Sequence, residues 1–333
     1  MANIGSVQTE VILILMAILT SCMAIALGIV SHRRRVDKKE RERAAKEMET
    51  TRAAEEIFEK VIPGTYLKLL KIKSYAELKA GAQQYFSAVV MDVNRSNLSG
   101  VVHNKKTEEV FASINGMLGR VIPVICSQGG LIDSFEGGGL SALFTDSGEQ
   151  ALTAAVSMQE EINTMKNEEY AAVTAGLTRG VVMIGVVGHE ERMTILLLSE
   201  AKEFAGFLRS VGYGYYARIL VTKDLLDSMG EDALRFNSRV LGKIFIRSRN
   251  CSVIVCDVFD GDKVEIRNKK RRTRIVFEKG VELFWAEKLE QARQHFVEVL
   301  KLDAADRAAA FYLLRCDRCL NKDEKWQEYM EIY

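Results

Sequence analysis

Residues 11–30 (VILILMAILTSCMAIALGIV) form an uncharged apolar run. At ~1.5 Å rise per residue, a helix of that length spans ~30 Å, the thickness of a bilayer core. The run fixes the first division of the chain: a membrane anchor, and whatever folds after it. A cleaved signal peptide wants positive charge ahead of the run and a small-residue cleavage site behind it. Here Glu10 precedes it and Arg33, Arg34 and Arg35 follow. Positive flanks stay cytoplasmic, so the sequence predicts a single-pass protein of the cell (inner) membrane, with residues 1–10 outside and the bulk of the chain in the cytoplasm. A length of 333 residues leaves room for one or two domains beyond the anchor.

A net charge of +1 argues against a nucleic-acid surface spread over the chain, so any basic function must be local. Residues 33–46 carry eight Lys/Arg against three Asp/Glu; such a juxtamembrane cluster either attracts anionic lipid headgroups or serves only as a topology determinant. From 36 to 61 there is no Gly or Pro, and the Ala, Glu, Lys and Arg content favours a continuous helix. Its apolar positions Ala44, Met48, Ala54 and Phe58 are sparse for a coiled coil. A spacer or signalling helix, able to pair two chains, is predicted there, ended by Pro63 and Gly64. Six cysteines suit a reducing compartment. Cys316 and Cys319 form a C-x-x-C without a second pair or a nearby His, inside a helical pattern, so buried small apolar residues are the favoured reading over metal or redox chemistry. His32, His103, His189 and His295 are scattered and point to no metal site.

Between 86 and 261, strand and helix patterns alternate. Residues 86–93 read as a buried strand and 107–126 as an amphipathic helix. Two strands, 130–135 and 140–144, are turned by Gly137, Gly138 and Gly139. A helix at 149–165 follows, then a second strand pair, 171–178 with 181–187. A helix at 199–211, a strand at 219–221 and a closing hairpin, 239–247 with 253–259, complete the series. This mixed order predicts α+β or α/β layers over one sheet. From 275 the pattern turns helical, with Ala292 and Phe296 in the spacing of a tetratricopeptide-type hairpin and Asp303 at its turn. One such unit cannot bury its own face, so it must pack on the preceding domain or on a partner. The basic run 269–274 (KKRRTR) reads as a solvated linker in preference to a nucleic-acid patch.

Three segments carry a resemblance: 88–100 (AVVMDVNRSNLSG), 129–144 (GGLIDSFEGGGLSALF) and 175–194 (AGLTRGVVMIGVVGHEERMT). Their order, spacing and glycines, among them Gly176, Gly180, Gly185 and Gly188, are similar to the class III nucleotidyl cyclase homology domain of adenylate and guanylate cyclases. The helical tail, 277–316, also looks like the extension common in bacterial members. The resemblance covers most residues from 66 to 320. It implies an α+β, ferredoxin-like cyclase homology domain at 64–262, with a central, mostly antiparallel sheet and flanking helices. A transmembrane helix (11–30) and a juxtamembrane helix (31–63) precede it, and a tetratricopeptide-like extension (263–333) follows.

What the resemblance implies about chemistry is a test of each position. The family needs two carboxylates for two divalent metals, Mg or Mn, together with purine-reading groups and an Asn and Arg that orient ribose and stabilise charge. Asp92 matches the first metal ligand, although a strand-end residue capping the next turn is an equal reading of it. Gly138 stands at the second and offers no ligand. The purine-reading Lys corresponds to Ser134 and the purine-reading Asp to Leu196; the Asn corresponds to Glu203 and the Arg to Phe207, and a glycine near the helix start becomes Ser199. Asp133 and Glu136 are the candidate substitutes for the missing carboxylate, but each is displaced from the turn position, and metal geometry tolerates little displacement. The implied function is signal transduction by a catalytically degenerate homologue that needs no cofactor. It would work as a homodimer or heterodimer with another cyclase-type domain, bind a protein partner through the C-terminal helices, and contact membrane lipid but no nucleic acid. An active cyclase with unusual ligands, or a nucleotide sensor without turnover, are the alternatives.

Overall fold

The computed structural model describes residues 62–95, 106–145, 147–165, 173–189, 191–247 and 250–332, with scattered positions between 16 and 59. The predicted span at 11–30 lies outside the described residues except at Met16, Ser21 and Met23. Two units divide the chain, Met1–Lys73 and Ser74–Tyr333. In the first, the described positions between 31 and 59 are helical and exposed. Lys38 and Glu42, and Arg52 and Glu56, pair one turn apart at 3.8 Å, and a short helix α1 (Gly64–Leu69) follows Pro63.

The second unit is built on one sheet. Its strands are β1 (Gln83–Arg95), β2 (Leu131–Ser134), β3 (Leu140–Phe144), β4 (Val173–His189), β5 (Arg192–Leu198), β6 (Ile219–Thr222), β7 (Ser238–Ile246), β8 (Cys251–Val258) and β9 (Met330–Ile332). They run in the order β2-β3-β1-β4-β6-β8-β7-β9, with β5 paired to β4. Among the described strands only β4/β6 and β7/β9 pair in parallel. Mixed α+β architecture over a mostly antiparallel sheet is therefore observed, as the sequence predicts.

Helices cover both faces. On one, α2 (Thr107–Ser127) and α3 (Gly148–Thr164) pack Met117, Val121, Ile125, Leu152 and Met158 against Val89, Met91 and Leu177. Each large side chain so buried contributes ~1.5–3 kcal/mol. Ser147 caps α3 by accepting from the Glu149 N–H at 3.0 Å. Among the described residues α2 is the one helix long and apolar enough to cross a membrane, with a mean hydropathy of 1.5. Its buried positions, Val110, Met117, Val121 and Ile125, recur at a helical period and belong to the core. The other face carries α4 (Glu200–Tyr215), and α5 (Lys223–Met229) follows β6.

Two expectations are corrected. Residues 171–178 and 181–187 do not form a strand pair: 173–189 is one strand, β4, paired to β1 from Arg95↔Val173 to Gln83↔Gly185. Gly180 suggests a turn, yet its missing side chain makes room for α4, because a Cβ there would lie 2.7 Å from that of Ala201. The hairpin partner of β4 is β5, which no sequence pattern had marked. Nor is 269–274 a solvated linker. It lies inside helix α6 (Val264–Trp285), and Lys270 and Thr273 are buried because they share a face with Phe277, Val281 and Phe284.

Three helices form the tail: α6, α7 (Leu289–Leu302) and α8 (Arg307–Leu320). Phe277, Val281, Phe296 and Tyr312 enclose a core with Leu241, Ile244 and Val255 of the sheet. Ala292 and Phe296 are both buried there, and Phe296 stacks on Tyr312 at 5.0 Å. Cys316 is buried and burial pushes its thiol up to about 12, in keeping with an inert apolar role. β7 carries a bulge between Val240 and Gly242 that leaves Leu241 unpaired with β8. The tail satisfies both stray backbone groups: Tyr312 Oη donates to the Leu241 carbonyl at 3.0 Å, and the Val240 N–H donates to Glu278 at 2.8 Å.

A buried charge network ties tail to sheet. Arg239 donates to Asp257 at 3.1 Å and to Asp306 at 2.5 Å, and Lys270 pairs with Asp257 at 2.8 Å and Asp262 at 2.7 Å. Burial works to raise the Asp306 carboxyl, but the Arg239 guanidinium and the Ala309 N–H outweigh it and hold it below the usual aspartate range. Its stabilising effect is thus present above the ordinary aspartate pKa and is lost as pH falls through the depressed folded value. Asp306→Ala, which strands part of a buried guanidinium, is expected to cost about 3 kcal/mol in urea denaturation at pH 7. The deficit relative to the unaltered chain should shrink as pH falls through the depressed Asp306 pKa.

Candidate functional site

Asp92 sits mid-sheet on β1, opposite Ser141 of β3 and Gly176 of β4. Directly opposed residues share a face, so all three lie on the face that α4 covers. The helix lies unusually close: a Cβ on Gly176 would fall 2.0 Å from the Ala205 carbonyl oxygen and 2.5 Å from the Arg209 nitrogen. The close approach brings the Arg209 guanidinium onto the Asp92 carboxylate as a hydrogen-bonded ion pair. Burial raises the Asp92 pKa above its usual value, and Arg209 opposes that rise without cancelling it.

A second carboxylate is gripped in the same way. Lys202 Nζ, on α4, lies 2.7 Å from Asp133 Oδ2 and 2.9 Å from Ser134 Oγ, with Glu136 at 3.5 Å. Ser141 Oγ donates to Asp133 at 2.9 Å and lies 3.0 Å from Ser134 Oγ. Burial tends to lower the Lys202 pKa, but Asp133 and Glu136 outweigh it and the ammonium stays charged. Lys202 and Arg209 are two turns apart, so they project from one face of α4. That i, i+7 pair is the signal the sequence reading missed.

The hairpin turn closes through Glu136 and Gly139, whose backbones exchange hydrogen bonds at 3.3 and 2.9 Å, while Asn94 donates to the Glu136 carbonyl at 3.0 Å. Gly138 lies in this turn at φ +81°, a region that disfavours other L-residues. Ser134 is inside the polar cluster. Leu196 is not: it pairs with Gly185, nine residues along β4 from the glycine facing Asp92, ~30 Å at strand rise. Glu203 is exposed on α4, and Phe207 packs beside Phe204 with ring centroids 6.0 Å apart. Ser199 caps α4, accepting from the Ala201 N–H at 3.0 Å and donating to the Val181 carbonyl at 2.9 Å.

Among the described residues, no three His, Cys, Asp or Glu side chains group to hold a metal ion. The donor set does not fit a pair of divalent cations as it stands, because Asp92 and Asp133 each spend their charge on a helix cation and Gly138 contributes none.

No family model matches the chain. Among curated proteins it is similar to the terminal-differentiation-specific adenylate cyclase of Dictyostelium discoideum, 22% identical over 272 residues, which are 79% of this chain and 13% of that protein. An adenylate cyclase of Anabaena cylindrica is 22% identical over 183 residues, 52% of this chain and 36% of its own length. The chain thus spans well under half the length of these curated relatives. A solved bacterial light-regulated adenylyl cyclase superposes with a TM-score of 0.55 at 18% identity, covering 65% of this chain and 64% of that one. The chain thus shares its fold with that solved adenylyl cyclase, and its similar curated relatives are adenylate cyclases.

Removing both helix cations releases the two carboxylates. The double variant Lys202→Ala, Arg209→Ala is expected to bind Mn²⁺ at least about tenfold more tightly than the unaltered chain, a change of ~1.4 kcal/mol, read by paramagnetic relaxation of bulk water.

Proposed function

We propose that this chain is a membrane-anchored signalling protein of the cyclase type that makes no cyclic nucleotide itself and acts through assembly. The observation that carries the reading is the pairing of Asp92 with Arg209 and of Asp133 with Lys202 beside a glycine, Gly138, at the second ligand position. Two-metal phosphoryl transfer needs carboxylates whose charge is free to hold cations. Here that charge is already compensated within the chain. The positions corresponding to the purine-reading and charge-stabilising groups carry Leu196, Glu203 and Phe207, which supply neither the required charge nor the required donors.

Assembly would use the outer end of the sheet. Tyr85, Val181 and Leu198 lie on one face of β1, β4 and β5, at 59%, 65% and 49% exposure. Apolar surface of this kind favours burial against another domain, and a second cyclase-type domain, identical or not, is the proposed partner. The span at 11–30 would hold the chain in the bilayer with residues 1–10 outside and the basic stretch 33–46 against anionic headgroups. Helices α6 to α8 would offer a further protein-binding surface.

The full chain incubated with ATP or GTP and Mn²⁺ is expected to yield no cyclic nucleotide by chromatography; metal-dependent product that disappears with Asp92→Ala would overturn the proposal. Leu198→Asp places a charge in the apolar patch and is expected to shift the chain towards monomer in light-scattering measurements while leaving its far-UV spectrum unchanged.

A further inference from the structure

A cavity lies away from these carboxylates, between the C-terminal end of α4, the start of α6 and the turn from α7 to α8. It is a cleft of about 690 Å³, inside the range of small-molecule sites, ~300–1,000 Å³. Its walls combine ring faces with charge. Tyr213 and Tyr216 stay 45% and 54% exposed beside the exposed Ile266, although aromatic surface of that size ordinarily finds cover.

The charges in the lining are not balanced. Asp262, Asp303 and Asp306 are each taken by a lysine or arginine of the chain: Lys270 at 2.7 Å, Lys269 at 3.3 Å and Arg239 at 2.5 Å. Two further cations at the rim, Lys263 and Arg307, form no ion pair among the described residues. The Arg307 guanidinium lies 3.6 Å above the Tyr216 ring, which leaves its N–H edge available. At the floor, Arg218 donates to Asn163 at 2.6 Å and Gln159 at 3.3 Å and feels the charge of Asp262. The cleft therefore presents surplus positive charge beside the exposed Tyr213 ring and the Arg307–Tyr216 stack.

We propose that this cleft binds a small organic anion bearing a planar ring, of the size and chemistry of a nucleoside monophosphate. The ring would lie against Tyr213, alongside the Arg307–Tyr216 stack, and the anionic group would reach Lys263 and the outer edge of Arg307, where bidentate guanidinium geometry suits phosphate. Such a ligand would bridge α4, the start of α6 and the α7–α8 turn. The inference stands on the cleft alone and does not require the proposed loss of cyclase activity.

Calorimetric titration of the full chain in detergent with AMP, adenosine and inorganic phosphate separately tests it. AMP is expected to bind at least about tenfold more tightly than either fragment, because only AMP uses ring and charge together. Lys263→Glu and Arg307→Glu, both at exposed positions, should each weaken AMP by about tenfold or more, while Asp92→Asn leaves it unchanged. The proposal is overturned if AMP gives no binding up to about 1 mM, if both charge reversals leave the affinity intact, or if Asp92→Asn abolishes binding, which would assign the nucleotide to the sheet carboxylates.

Discussion

The contact on which the candidate site depends is the seat of α4 on β4. Gly176 lets helix backbone approach to where any other residue's side chain would stand, and Gly180 does the same for Ala201. That proximity is what allows a lysine and an arginine two turns apart to reach Asp133 and Asp92. Were the helix a few ångströms further out, both carboxylates would face solvent, and their charge would be open to other cations. The glycines that mark the fold therefore also decide who neutralises the acids.

Electrostatics then follow from geometry. Burying a carboxylate raises its pKa unless a partner compensates. At Asp92 burial prevails over Arg209, whereas at Asp306 the bidentate hold of Arg239 prevails over burial. The difference matches their settings: Asp92 lies under α4, where the nearby Glu136 charge adds to the effect of burial, whereas Asp306 caps α8 and is held by a guanidinium and a helix N–H. The tail is consequently part of the unit's core, since Phe277, Phe296 and Tyr312 fill space above Leu241 and Val255.

Much of the architecture was legible because strand and helix periods are local properties. The β2–β3 hairpin, α2, α3 and the 239–259 hairpin fall close to where alternation and glycine placement put them. The break between 178 and 181 was misplaced because Gly180 looks the same in sequence whether it turns a chain or admits a neighbouring helix. Lys270 was misread because a basic run signals solvent until one sees Asp257 and Asp262 waiting beneath it. At the site, Asp92 and the gap at Gly138 were readable from motif order. The roles of Lys202 and Arg209 were not, since their carboxylate partners lie 69 and 117 residues away.

The bulge at Leu241 bears on how this chain can drift. The tail answers the bulge through main-chain atoms, with Tyr312 and Glu278 as the responding side chains. A tail slipped by one turn would abandon an amide and a carbonyl in a dry interior, so the two layers have a single seating. Substitutions at 278 and 312 are thus held in check by backbone, while 240 and 241 remain open to other apolar residues. Correlated change between the layers would be faint at the very place where they are most firmly joined.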